Sequence, residues 1–460
     1  MVGGGPAGAT FALRMARLGY EVLLLERSTF PRVNIGEVLA PGTAPLLDAL
    51  SLRDAIPTAG SLPTNQARVR WAAQRTVSIS IPPSQAGVTV NRGDFDSSLL
   101  EAARSAGVTV WQATRARDPK RITTGWELIA STPTGPQRIR AGFLTDASGR
   151  GRLLGSSRTR RSVPTLALHA TWRGTAEPGK PTRLEAGRKA WFWGVHLPGA
   201  QFRAFAIVPA AVFRQNRVTK ANLEGYYRRL LAATEVMDAL TQPTLDGPVS
   251  VCDATCYFDP DCVDETSIKL GDASFTVDPL SSSGVQSALR SSLTASAVVH
   301  TMLLPCGDTA AATAFYRDSQ RFASNQHSHW AAAYHTKRLG RSSRGIEDRN
   351  AARADEPRGP RTQPHLGDVF ARPARLAQGA TLVDEPCIAG DRVVRKRALS
   401  HPRLGRPVAY LGDIEIAPLV ELLTQRETFG QAVWEWSCRI TPAKALILAA
   451  WLDHHSLIKY

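Results

Sequence analysis

The run Gly3-Gly4-Gly5-Pro6-Ala7-Gly8 constrains the fold more than any other feature of the chain, because a G-x-G-x-x-G turn has a mechanical meaning wherever a strand enters it and a helix leaves it. A helix is expected over residues 9–18, then the apolar strand Glu21-Val22-Leu23-Leu24-Leu25, ending in Glu26. Gly3 allows the tight turn, Gly5 lets a pyrophosphate approach the backbone, and Gly8 lets helix and strand pack closely. The helix N-terminus then turns its unpaired N–H groups towards the phosphates. Glu26, 18 positions after Gly8, is placed to accept ribose hydroxyls. The strand before Gly3 is reduced to Met1 and Val2, although it should be central and buried. A misassigned start or a shortened chain is therefore expected, with a weaker sheet and weaker ligand retention.

A chain of 460 residues is too long for one ordinary core. Residues 1–60, 88–160 and 248–335 read as alternating strands and helices, a discontinuous βαβ nucleotide-binding domain. Residues 61–87 and 161–247 carry alternating apolar strands, such as 203–208, and one amphipathic helix near 223–231, which suggests a second domain built on a sheet. Residues 336–365 are rich in Arg, Gly, Ser and Asp and read as a linker. Residues 366–460 read as a small C-terminal module with helical patterns at 414–424, 428–438 and 442–454. This module is expected to be helical and winged-helix-like, to expose Trp434 and Trp436, and to recruit a protein substrate. The fold class is α/β.

No apolar stretch reaches the roughly 18 residues of a membrane span, and the first thirty residues carry no secretory signal pattern, so a cytoplasmic protein without membrane contact is expected. Six cysteines are sparse for this length, and Cys252, Cys256 and Cys262 fit no zinc spacing. His327, His329 and His335 share no helical face well and are expected to be exposed or capping. No metal site is expected. The net charge of +16 suits acidic partners or nucleic acid. Nucleic acid is disfavoured, because residues 442–457 carry Lys444 as their only basic residue and could not read base edges.

The segment Leu270-Gly271-Asp272-Ala273-Ser274-Phe275-Thr276-Val277-Asp278-Pro279-Leu280-Ser281-Ser282-Ser283-Gly284-Val285 resembles the Gly-Asp segment of the flavin-dependent monooxygenases and tryptophan halogenases. Three further segments resemble that family in order: Phe30-Pro31-Arg32-Val33-Asn34-Ile35-Gly36-Glu37, Asn91-Arg92-Gly93-Asp94-Phe95-Asp96 and Asp146-Ala147-Ser148-Gly149. The resemblance covers roughly residues 1–335. It implies a Rossmann-type FAD-binding domain, a substrate sheet domain like that of flavin hydroxylases, and FAD as cofactor. It also implies cofactor contacts at Gly3, Gly5, Ala7, Gly8, Glu26, Arg27, Arg92, Asp272, Pro279, Gly284 and Val285, with Asp272 on the ribityl chain.

The strand Ala190-Trp191-Phe192-Trp193-Gly194-Val195-His196-Leu197-Pro198 is similar to the W-x-W-x-I-P signature of the flavin-dependent halogenases, but His196 stands where the proline belongs. Alternation puts Trp191, Trp193 and Val195 on one face and Phe192, Gly194 and His196 on the other. The resemblance implies a substrate pocket at Trp191, Trp193 and His169, and makes His196, Ser281 and Ser282 the catalytic candidates. Halogenases of this family use a lysine that this chain lacks between Met1 and Pro119, and Ser281 stands where tryptophan halogenases carry a glutamate. Both departures point to hydroxylation of an electron-rich ring. Within the family, the Asp272 segment and the C-terminal extension look most like monooxygenases that hydroxylate a peptidyl tryptophan in tryptophylquinone biogenesis, the case of quinohemoprotein amine dehydrogenase maturation. Partners are then a protein substrate carrying the target tryptophan, O2, and NAD(P)H or a flavin reductase. A small-molecule aromatic hydroxylase and a flavin-dependent halogenase are the alternatives.

Overall fold

In a computed structural model of the chain the described residues are all except 33, 57–60, 72–74, 156, 178, 188, 189, 339–368 and 424, with the side chains of 334–338 also left out. Residues 339–365 of the expected linker and the side chain of His335 therefore lie outside what is described, whereas 336–338 end the helix Thr309–Arg338. The chain forms two compact units, residues 1–341 and 342–460.

The first unit is built on a parallel ladder at its N-terminus. Val2 bridges Leu25 on one side and Asp146 on the other. Leu23–Leu25 pairs in parallel with Thr109–Trp111, and Leu144–Asp146 with Ser267–Lys269. The helices Pro6–Arg17, Arg92–Ser105 and Gly284–Leu303 bury Ala9, Leu13, Leu99 and Leu289 in one core with Leu24 and Leu39. Residues 115–141, read as part of a βαβ alternation, instead form an antiparallel three-stranded meander.

The second layer of this unit is a seven-stranded sheet, in the order Leu240–Asp253, Thr165–Ala176, Gln201–Pro209, Trp191–Leu197, Thr182–Ala186, Gln66–Trp71, Val77–Ser80. Neighbours are antiparallel except Thr182–Ala186 with Gln66–Trp71. The first strand runs unbroken to Asp253, past the expected boundary at residue 247. Helix Leu223–Ala232 covers one face, where Tyr227 donates to the Ala204 carbonyl at 2.8 Å and packs with Phe192, Phe202 and Val236. The other face carries Trp191, Trp193, Phe205 and Ile207 against Ile35, Val38 and Leu280. Full burial of each such side chain contributes about 1.5–3 kcal/mol, so this apolar sandwich fixes the sheet against the nucleotide lobe.

In the second unit the hairpin Thr381–Ala389/Arg392–Ser400 precedes the helices Ala417–Leu423, Phe429–Arg439 and Pro442–His454. The three helices form where helical patterns were expected, and the nine-residue paired strands stand beside them. Thr428 and Gln431 close a capping box on the second helix, and Thr441 caps the third. Trp434 is exposed as expected, whereas Trp436 is fully buried and donates its indole N–H to the Leu419 carbonyl at 2.7 Å. No helix among the described residues is long and apolar enough to cross a membrane.

Candidate functional site

A single cavity of about 1330 Å³ in the first unit joins the glycine turn to the aromatic face of the large sheet. Ordinary small-molecule pockets hold roughly 300–1,000 Å³, so this one has room for a dinucleotide and a further ring. It lies at the carboxyl ends of the parallel strands, where α/β sheets bind ligands.

The turn is shaped by close backbone packing. Gly3 has φ +103°, and a Cβ there would stand 2.2 Å from the Ala147 carbonyl oxygen. A Cβ on Gly8 would stand 1.9 Å from the Gly3 oxygen, so Gly8 sets the helix against the turn and does not itself line the cavity. At Gly5 a Cβ would meet only the Arg32 Nη2, at 3.2 Å, which leaves the backbone open to a ligand. Gly3, Gly5 and Ala7 line the cavity.

Two helix N-termini converge here. Pro6–Arg17 and Gly284–Leu303 each begin without a side-chain cap or an acidic residue in the first turn, and Gly5, Pro6, Ser283, Gly284 and Val285 all line the cavity. Bare first turns carry partial positive charge that suits phosphates and a negatively charged flavin ring.

The acidic and basic candidates hold the walls in place. The Glu26 carboxylate, expected to face ribose hydroxyls, is buried and already accepts the Gly4 N–H at 2.7 Å and the Ser28 N–H at 2.8 Å. Arg32 Nη1 also reaches Oε1, at 3.5 Å, which leaves a free lone pair on Oε2. Arg92 is also committed: its Nε and Nη2 reach both Asp96 oxygens at 3.0 Å, and Nη1 donates to the Ile35 and Gly36 carbonyls. It pins the 34–37 loop as well as lining the cavity. Asp146 accepts from the Ser148 and Leu154 N–H groups and so shapes the Gly149–Leu153 stretch of the wall. Asp272 faces the cavity, and Arg150 reaches it at 3.6 Å and Asp253 at 3.5 Å. Poor hydration in this recess raises the Asp272 pKa, with Arg150 and Arg92 opposing.

His327, expected to be exposed or capping, is half-buried and supports a distant turn. Its Nε2 accepts the Asp278 N–H at 2.6 Å, across 49 positions of chain, while the Asp278 carboxylate caps the Leu280 N–H. Burial lowers the His327 pKa, which keeps that nitrogen free to accept. His327 is thus a prop for the turn that carries Pro279 and Ser282, both on the cavity wall. No group of His, Cys, Asp and Glu among the described residues could hold a metal ion.

On the sheet side, Trp193 stacks on Phe205 at 5.6 Å and His169 lies against the same ring at 5.5 Å; all three line the cavity. Burial, and then Arg203, push the His169 pKa down to about 4. The imidazole is neutral at physiological pH and can accept a hydrogen bond from an indole N–H or a phenol. Three expected site residues are not on this wall. His196 lies on the opposite face, edge-on to Phe202 at 4.9 Å, because strand alternation separates it from Trp193. Trp191 is buried beneath the wall against Trp71. The Ser281 hydroxyl is engaged with the Asp278 carbonyl and Ser283. Ser282, at φ +49°, does line the cavity.

The family model described as FAD binding domain matches residues 1–220. Tryptophan 2-halogenase of Chondromyces crocatus is 29% identical over 334 residues, 69% of this chain and 63% of that protein, so the chain spans less than two thirds of this relative's length. Two solved structures share the fold over 99% of this chain. One is CmlS, a flavin-dependent halogenase, with TM-score 0.78, 22% identity and 94% of its own chain covered. The other is the peptidyl tryptophan dihydroxylase QhpG, essential for tryptophylquinone cofactor biogenesis, with TM-score 0.71, 23% identity and 98% covered. With the glycine turn and the converging helix ends, the family match gives residues 1–220 an FAD-binding domain, with FAD as the cofactor. The chain is similar in sequence to flavin-dependent halogenases and shares the fold of a halogenase and of a monooxygenase of this kind.

Proposed function

We propose that the chain hydroxylates an electron-rich aromatic ring, with an indole side chain of tryptophan in a protein substrate as the reading its residues favour. The observation that carries this is the continuity of the cavity: the Gly3–Gly8 turn and the Trp193, Phe205 and His169 wall enclose one space. Bound FAD, reduced by NAD(P)H or by a flavin reductase, would supply the activation of O2. The protein's part is to hold and to exclude. Gly3, Gly5 and the bare helix N-termini would hold the cofactor, with Asp272 towards its ribityl chain. The aromatic wall would hold the substrate ring, and neutral His169 would accept its N–H. No lysine is among the described residues that line the cavity, so the group with which halogenases of the family handle hypohalous acid is missing there. The fold shared with a peptidyl tryptophan dihydroxylase supports a protein-borne ring.

Halogenation is the second reading, and the names of the relatives favour it: beside the Chondromyces protein, matched proteins of Armillaria mellea are also flavin-dependent halogenases. Mass spectrometry after turnover with FADH2, O2, a tryptophan-bearing protein or peptide and excess bromide separates the two. The expected product gains oxygen and no bromine. A brominated product would replace the hydroxylase reading with the halogenase one.

A further inference from the structure

We propose that a second cavity of the first unit, at the end of the large sheet beside Val195 and His196, is a subsite for a carboxylate, which the substrate carries as an acidic side chain two positions from the target tryptophan. This rests on the reading of the substrate as a protein-borne ring and adds the feature by which one tryptophan is chosen over another.

This cavity holds about 370 Å³ and shares no lining residue with the flavin cavity. The sheet leaves it open for a backbone reason. The ladder between Thr182–Ala186 and Trp191–Leu197 ends at Arg183 and Gly194. Pro181 has no N–H with which to extend it, and Gly179 and Lys180, at φ +75° and +43°, turn the chain away. Val195 and His196 are thus left beside a gap that residues 62–65 also line. Val195 is two residues beyond Trp193 on the same face of its strand, so the cavity begins about 7 Å from the aromatic wall. The same spacing, about 7 Å, separates residues i and i+2 of an extended peptide.

Two groups on this lining have no partner among the described residues. His196 is only 4% exposed, and its Nε2 makes no hydrogen bond there. A buried nitrogen left so is costly, and a ligand that satisfies it removes the cost. Lys180 is exposed and makes no ion pair or side-chain hydrogen bond. Glu177, the acid whose field reaches His196, is already held by Arg68 at 2.6 Å and by Arg183 at 2.8 Å. No acidic residue is among the described residues that line the cavity. Burial pushes the His196 pKa down to about 4, with Glu177 opposing, so the ring is neutral and carries one N–H. With the proton on Nε2 it donates. One ammonium, one imidazole N–H and the Thr64 and Thr182 hydroxyls suit a monoanion with two acceptor oxygens. A phosphate dianion would keep a charge uncompensated. Leu62, Pro63 and Val195 offer apolar surface to the methylene stem of an acidic side chain. The net charge of +16 steers acidic partners towards the chain in the same sense.

The experiment is titration calorimetry of the FAD-loaded full chain, without turnover, against short tryptophan peptides that differ only in Glu or Gln two positions from the tryptophan, on either side. On one of the two sides the Glu peptide is expected to bind about fivefold tighter than its Gln counterpart. Lys180→Met should erase that preference, and Lys180→Arg should keep most of it. His196→Leu should weaken it, whereas His196→Gln, which retains an N–H donor, should preserve more of it, and that ordering excludes a folding defect as the cause. Benzoate serves as the free probe. Benzoate binding that depends on Lys180, with no preference between the peptides, would overturn the acidic side chain and give the cavity to a free small carboxylate. Equal or undetectable affinity of the two peptides, with no Lys180-dependent binding of benzoate, would overturn the subsite altogether. A brominated product in the turnover assay would remove the hydroxylase reading and leave these affinities as they are.

Discussion

Gly8→Ala is expected to cost the protein its FAD and on the order of 2–4 kcal/mol of stability. The added methyl carbon would sit 1.9 Å from the Gly3 oxygen, 3.0 Å from the Gly3 carbonyl carbon and 3.2 Å from the Ala147 Cβ. None of these atoms is the end of a flexible side chain. Relief requires helix Pro6–Arg17 to move off the turn, which also carries its N-terminus away from the phosphates. Gly5→Ala is the informative contrast. Its Cβ meets only the end of Arg32, so it should melt close to wild type while retaining less flavin. Thermal unfolding and flavin absorbance, measured on both variants, read the two effects separately. A Gly8→Ala protein with normal melting and full flavin would mean that the turn is looser than its packing implies.

Arg92→Met is expected to destabilise the first unit by about 3–5 kcal/mol, the usual consequence of stranding one member of a buried ion pair. Asp96 is fully buried and would keep only the Arg32 contact at 3.8 Å and a long Asn34 contact at 3.4 Å. The Ile35 and Gly36 carbonyls would lose their donor in the same step. Because Ile35 packs on the Trp191 and Trp193 side of the large sheet, loosening the loop should also weaken the aromatic wall. Removing the charge as well, in R92M/D96L, should recover part of the loss, since no buried carboxylate is then left unpaired. Denaturant midpoints of the two variants measure this. A single variant within about 1 kcal/mol of wild type would show that the pair carries little of the wall's stability.

What could be read from the sequence is what local rules govern. The glycine turn, the helix opened by Pro442 and capped by Thr441, and the aromatic strand each depend on neighbours a few positions away, and the structure forms elements there. Alternation separated Trp193 from His196 correctly, yet it could not say which face meets the cavity. That choice depends on Tyr226 and Tyr227 covering one side and Ile35, Val38 and Leu280 the other. His327 beneath Asp278 and Arg203 beside Glu37 are contacts between distant segments, without any periodicity to betray them. The meander at 115–141 was taken for a βαβ alternation because its charged outer strands, half-buried only at scattered positions, lack a clean apolar face. Glu26 and Arg92 were recognised by position, but their backbone and ion-pair partners show that each also holds up the wall on which it stands.

One cavity is expected to seat both the flavin and the ring to be oxidised. A crystal structure of the full chain soaked with FAD tests it most directly. The expected result is the pyrophosphate on the Gly3–Gly8 turn, the ribityl chain at Asp272, and the flavin ring beside Gly284 with an edge towards Trp193, Phe205 and His169. Flavin bound elsewhere, or seated with its ring turned away from that aromatic wall, would contradict it.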